Sequence, residues 1–301
     1  MYLPQIAPIF TDYKKKRFYE ISVLPISLCF LFLSISTHAQ HKIKLDKNIS
    51  FDELMKAKTV RTVSWTNPNG GKETLTFTEI AIPVKEEMKQ LTKEFNQNNY
   101  GINSYWLNPK MIVLHSMDLG DLRQSLEQSS LLNDQLPESW GTLSKAGKLP
   151  NGAHFMVDQD GTIYCLTPPV SADEKSVDYT SPDHKWYIKR HQDGNPYAIG
   201  IENVTAANGD FTDLTAAQVE VNAKLVRWLA VFENNKINFV TSHHQFNEEE
   251  TLDHFHDRLQ LNYKYKAYRT KGRKDIGDQK LKDILKQVNS FGYAFTPDPT
   301  R

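Results

Sequence analysis

The chain has 301 residues, 39% of them hydrophobic, and its 36 basic residues are balanced by 36 acidic ones. That length and apolar content suffice for one well-buried core plus extensions. Zero net charge, with no concentrated basic face, argues against a nucleic-acid partner.

The N-terminus carries the parts of an export signal: a basic stretch from Lys14 to Arg17, an apolar stretch from Ile21 to Ile35, and a small-x-small site at Thr37-His38-Ala39. The apolar stretch is shorter than the roughly 20 residues of a membrane span, and Pro25 interrupts it. The expectation is a cleaved signal over 1–39, a periplasmic or extracellular product and no stable membrane span afterwards. Those 39 residues hold four basic and two acidic side chains, so the remainder has 32 basic and 34 acidic residues, a net charge of −2. Cys165 alone would remain, which leaves no disulfide framework.

Residues 40–105 read as an accessory N-terminal segment. Phe51 to Ala57 has the pattern of a short helix. Thr59 to Trp65 and Glu73 to Ile82 alternate as strands around the turn Asn67-Pro68-Asn69-Gly70-Gly71, and Val84 to Phe95 has helical spacing. From 106 to about 298 the pattern changes. Met111 to Met117 (MIVLHSM) is a buried strand that ends in His115 and Met117 after the turn-former Asn108-Pro109. Asp121 to Gln135 is a helix or ordered loop, and Gly152 to Leu166 is a hairpin around Asp158-Gln159-Asp160-Gly161. Pro168 to Pro196 is a long loop of the kind that forms a binding rim. Ala198 to Val204 (AIGIENV) alternates, with Ile199 and Ile201 on one face and Gly200 and Glu202 on the other. Thr215 with Gln218 forms a capping box for a helix reaching about Glu233, with Val221, Leu225, Trp228, Leu229 and Phe232 as its buried stripe. Ile237 to His244 (INFVTSHH) is another apolar run ending in histidine, 247–271 is an insertion, and Leu281 to Val288 closes the chain as a helix. Strand, helix, strand in that order predicts a crossover and a mixed sheet, hence an α/β (α+β) domain.

Three strands that end in His115, Glu202 and His243 or His244 point to one shared site, because buried ionisable groups are costly without partners. Two imidazoles plus a carboxylate, with a fourth position open, is the ligand set of catalytic zinc. Asp275, in the turn Gly272 to Asp278 (GRKDIGD), is the candidate carboxylate.

The segments IVLHSM, AHFMVDQDGTIYCL, RH followed by NPYAIGIENV, SHHQF and GRKDIG, in this order, resemble the zinc-dependent N-acetylmuramoyl-L-alanine amidases of the type 2 family, related in fold to the peptidoglycan recognition proteins. The resemblance runs from about Asn108 to Phe291. It implies a mixed central sheet flanked by helices, one Zn2+ per chain held by His115, His243 and Asp275, and Glu202 as general base. It further implies Arg273 and His191 at the reacting carbonyl, and His154, Asn195 and Lys274 near the substrate. The implied substrate is peptidoglycan or its muropeptides, cut between N-acetylmuramic acid and L-alanine by a monomer. The alternative is a peptidoglycan-binding module of the same fold without turnover. The chain departs from the family at Met117, where threonine is usual, and at Ile276, where the family has proline.

Overall fold

The computed structural model describes residues 51–80, 84, 86–128, 153–188, 196–206, 213–242 and 276–295. Among them seven strands make one mixed sheet in the order β1-β2-β5-β4-β6-β3-β7. The strands are β1 (Thr59–Thr66), β2 (Lys72–Glu79), β3 (Met111–Asp118), β4 (Phe155–Val157), β5 (Ile163–Cys165), β6 (Ala198–Thr205) and β7 (Phe239–Ser242). The helices are α1 (Phe51–Lys56), α2 (Glu86–Tyr100), α3 (Leu122–Gln128), α4 (Ala216–Phe232) and α5 (Asp278–Asn289). Every element expected within these residues is present, most with ends shifted by a few residues; α2 runs five residues beyond the Phe95 end expected from its pattern. β3 lies between β6 and β7 and is parallel to both, so α4 crosses over β3 to join the strands on its two sides.

Period-two alternation divides the sheet into two faces. Ile112, Leu114, Phe155, Val157, Ile199, Ile201 and Val240 point into the main core, where they meet Leu225, Val226 and Leu229 of α4 and Ile284, Leu285 and Val288 of α5. Met156, Leu166 and Val204 belong to a smaller cluster on the other face, covered by Leu54 of α1 and Leu122 and Leu126 of α3. The expected capping box starts α4: the Gln218 N–H donates to Thr215 Oγ1 (3.1 Å), and the Thr215 N–H donates to Gln218 Oε1 (3.0 Å). The β4–β5 turn closes through the Gly161 N–H to Asp158 O (2.9 Å). Gly161 adopts φ +87, and a Cβ there would sit 3.2 Å from Ala217 of α4, so both conformation and space demand glycine.

Part of the stretch 40–105, read from the sequence as an accessory segment, packs on the rest of the domain. β1 and β2 extend the domain's own sheet: β2 pairs parallel with β5 at Thr78↔Tyr164 and Glu79↔Cys165. Trp65, Leu75 and Phe77 lie in the same core as Trp228, whose ring centroid is 5.5 Å from that of Phe77. The hairpin and α4 therefore share one hydrophobic core. No helix among the described residues is long and apolar enough to cross a membrane.

Candidate active site

The shared face of β3 and β6 brings two of the expected residues together. In the parallel register His115 is paired with Glu202, between the flanking pairs Leu114↔Ile201 and Ser116↔Asn203. Register partners on adjacent strands are about 4.8 Å apart and project to the same side, so the imidazole and the carboxylate stand next to each other. That side is opposite the Ile199 and Ile201 core. Met156 of β4 is the next partner of Glu202, and Tyr164 of β5 is the partner of Met156. The row across the sheet is therefore His115, Glu202, Met156, Tyr164, with the imidazole and the carboxylate at one end. His115 is buried at 4% exposure, while Glu202 is partly exposed. Burial pushes the Tyr164 hydroxyl above its ordinary range, with the charges of Asp158 and Asp160 adding to it.

The remaining residues expected at the site (His243, Asp275, Arg273, Lys274, His191 and Asn195) lie outside the described residues, as does the whole 247–271 insertion. One chain neighbour each of His243 and Asp275 is described. Ser242, which precedes His243, pairs with Leu114, which precedes His115. Ile276, which follows Asp275, is fully buried in the main core just ahead of α5. Among the described residues no group of three His, Cys, Asp or Glu side chains could hold a metal ion.

The ring of His154 is fully buried. The Gly200 N–H donates to Nδ1 (3.1 Å), which therefore carries no hydrogen, and Nε2 lies 2.9 Å from Tyr187 O, to which it must donate. The His154 N–H also donates to Gly200 O (3.0 Å). The imidazole thus ties β6, two residues before Glu202, to the segment that leads toward His191. In these bonds it acts as a brace between the two segments.

The described part of the expected rim loop is also held down. His184 Nδ1 donates to Ser181 O (2.7 Å) and Nε2 to Glu233 Oε1 (2.8 Å), and Trp186 Nε1 donates to the same carboxylate oxygen (2.6 Å). Burial works against charge on His184, but the bond and charge of Glu233 and the Ser181 carbonyl outweigh it and raise the imidazole above its usual range. Nearby, Glu174 adopts φ +60 and accepts from Lys89 Nζ (2.6 Å), Tyr105 Oη (3.0 Å) and Tyr187 Oη (3.0 Å). Burial would lift that carboxyl, yet these donors hold it below its ordinary value.

Sequence reasoning missed a set of buried amides behind the site. Asn203 follows Glu202 and faces α4. Its Nδ2 donates to His115 O (3.0 Å), and its Oδ1 accepts from Asn222 Nδ2 (2.6 Å). Asn222 Nδ2 also donates to Gln218 O (2.7 Å), and Gln218 Nε2 donates to Val204 O (2.8 Å) and Val157 O (3.3 Å). The available signal was parity: Asn203 shares a face with Ile199 and Ile201, so its amide had to be buried.

The mixed sheet flanked by helices, with His115 and Glu202 in register on one face, defines an α/β protein. Residues 105–254 match the family model described as N-acetylmuramoyl-L-alanine amidase, and the chain belongs to this family, the type 2 amidases. Among solved structures it is similar to the N-acetylmuramoyl-L-alanine amidase LysC from Clostridium intestinale URNW, at 21% identity over 52% of this chain and 88% of that one, with a TM-score of 0.31. It is also similar to a selenomethionine AmpD derivative (20% identity, 46% and 76% covered, TM-score 0.29) and to PGRP-Hd from Alvinella pompejana (16%, 52% and 86%, TM-score 0.26). The comparison with curated proteins returned no match.

Proposed function

We propose that this protein is an exported zinc-dependent N-acetylmuramoyl-L-alanine amidase that cuts peptidoglycan or its muropeptides between the lactyl group of N-acetylmuramic acid and L-alanine. The observation that carries the reading is the His115↔Glu202 pair, an imidazole and a carboxylate in register on one sheet face. A binding module of the same fold has no need of that pairing.

The donor set fits zinc. His115 supplies one imidazole, and β7 supplies the second. Thr241 of β7 pairs with Val113 and shares its face, so continued alternation favours His243 over His244 as the partner of His115. Asp275 is the carboxylate, next to the buried Ile276, at the entry to a helix that packs on β7. A zinc ion bound there supplies Lewis acidity, which lowers the pKa of water toward ~7 and polarises an amide carbonyl.

The protein's own groups do the rest. Glu202 takes the proton from the attacking water and delivers it to the departing amine of L-alanine as the carbon–nitrogen bond breaks. Met156 of β4 stands on its other flank. Arg273 and His191 stabilise the negative charge that develops on the carbonyl oxygen, and Asn195 and Lys274 line the substrate.

Glu202→Gln tests the reading. Zinc stoichiometry should stay at that of the wild type, while muropeptide hydrolysis falls by about 10²- to 10⁴-fold. Folded, zinc-loaded wild type that releases no cleavage product would refute the amidase, and turnover unchanged in Glu202→Gln would refute the role of this carboxylate.

A further inference from the structure

We propose that Asn203 and Asn222 form a positioning relay that holds the backbone of His115 against the Glu202 strand, and so sets the metal-binding imidazole and the general base relative to each other. The inference rests on the amidase reading and deepens it.

Hydrogen-bond polarity fixes the relay. The Gln218 carbonyl can only accept, so the Asn222 amide must present Nδ2 toward it (2.7 Å). The second hydrogen of that nitrogen is directed at Asn203 (2.6 Å), which must turn Oδ1 to receive it. The Asn203 Nδ2 then has one direction left, toward His115 O (3.0 Å). A main-chain group of α4 thus determines, through two side chains, which way an amide on β6 points and what it grips on β3. The first turn of α4 adds a clamp, since Gln218 Nε2 bonds the carbonyls of Val204 on β6 and Val157 on β4.

Stability alone does not account for these side chains. Asn203, Asn222 and Gln218 are fully buried in an interface otherwise formed by Ile199, Ile201, Leu225, Val226 and Leu229. Asn222 Oδ1 has no hydrogen-bond partner among the described residues. Replacing a buried polar pair by apolar groups of similar shape is often neutral or stabilising, whereas an unmatched buried acceptor costs free energy. The pair also lies at one position only: Asn203 is the residue after Glu202, and its bond ends on the carbonyl of His115. Partners outside the ligand shell typically tune metal affinity or activity by 10- to 100-fold, and this relay has the connectivity of such a partner.

The test is the double variant Asn203→Leu/Asn222→Leu in the full chain, compared with wild type by zinc affinity in competition with a chelator, by kcat and KM for muropeptide hydrolysis, and by thermal unfolding of the zinc-free protein. The relay predicts an unfolding midpoint equal to or above wild type, together with zinc affinity or kcat lowered by about 10- to 100-fold and KM within about threefold. A second variant, Asn222→Ala, keeps Asn203 but removes its donor, and should lower zinc affinity in the same direction if the double variant does not fold. Wild-type affinity and wild-type kcat in either folded variant overturn the relay. Zinc-loaded wild type without hydrolysis overturns the amidase reading alone, because the affinity measurement still decides the relay.

Discussion

Removing Glu73 should destabilise the whole domain, even though it lies on the N-terminal hairpin and far from His115 in sequence. Its carboxylate receives both arms of Arg227 on α4, Nε at 2.7 Å and a terminal nitrogen at 2.6 Å, with the two side chains only 11% and 6% exposed. Asn67 Nδ2 donates to the same carboxylate (2.8 Å), and Asn67 Oδ1 accepts from Trp65 Nε1 (2.8 Å). The guanidinium lies 4.0 Å from the ring centroid of Phe291, and the Tyr293 hydroxyl is 3.0 Å from Asn67 Oδ1. Burial opposes the charge on Glu73, but the bonds from Arg227 and Asn67 outweigh it and hold the carboxyl below its ordinary value. Glu73→Ala leaves an uncompensated buried guanidinium, which costs about 3–5 kcal/mol. At roughly 2–4 °C per kcal/mol for a domain of this size, the midpoint should fall by about 6–20 °C. The double variant Glu73→Leu/Arg227→Met, which removes both charges, should recover much of that loss. Thermal unfolding followed by circular dichroism measures both, and each should give one transition. A Glu73→Ala midpoint within a degree or two of wild type would refute the buried pair. Two separate transitions in wild type would refute the statement that the hairpin belongs to the domain core.

The buried His184–Glu233 pair predicts a pH dependence of stability. The folded imidazole titrates above its unfolded value, so the pair's contribution is complete below about pH 6.5 and is lost as pH rises through the folded pKa. Urea unfolding of metal-free protein should show wild type losing stability between neutral and alkaline pH while His184→Gln stays flatter over that window; parallel curves would refute the charged pair. Cys165 is fully buried, and burial pushes its thiol well above the ordinary range, with the Tyr179 hydroxyl bond only partly offsetting this. In a chain carrying Cys29→Ser, a thiol reagent should label Cys165 only after unfolding, and rapid labelling of the native protein would contradict its burial.

Much of the fold is legible in the sequence because local chemistry and tertiary environment agree. The alternation of Ala198 to Val204 predicts Ile199 and Ile201 in the core with Glu202 on the opposite face, and the Thr215 and Gln218 capping box starts α4 where the pattern places it. How the hairpin before residue 105 joins the sheet was not legible. Alternation reveals that β1 and β2 are strands but carries no information about which strand they join. The parallel pairing of β2 with β5 joins residues more than 80 positions apart, and the bond from Arg227 to Glu73 joins residues 154 apart. His154 was legible as a histidine near the site, but its engagement by Gly200 N–H and Tyr187 O depends on a loop return that no local pattern encodes.

Register ties these observations to the proposed site more tightly than any single contact does. In a strand of period two, slipping β6 by one residue against β3 would turn Glu202 into the core and bring Ile201 or Asn203 to the side of His115. The core forbids that slip, because Ile199 and Ile201 are fully buried against α4 and would have to exchange places with a carboxylate. The apolar residues of β6 therefore determine where Glu202 stands as firmly as any residue on the site face. The bond from Asn203 to His115 O adds a polar constraint to the same register from the opposite side of the sheet. A substitution such as Ile201→Asn, which erases the difference between the two faces, is accordingly expected to damage the imidazole–carboxylate pairing without touching either group.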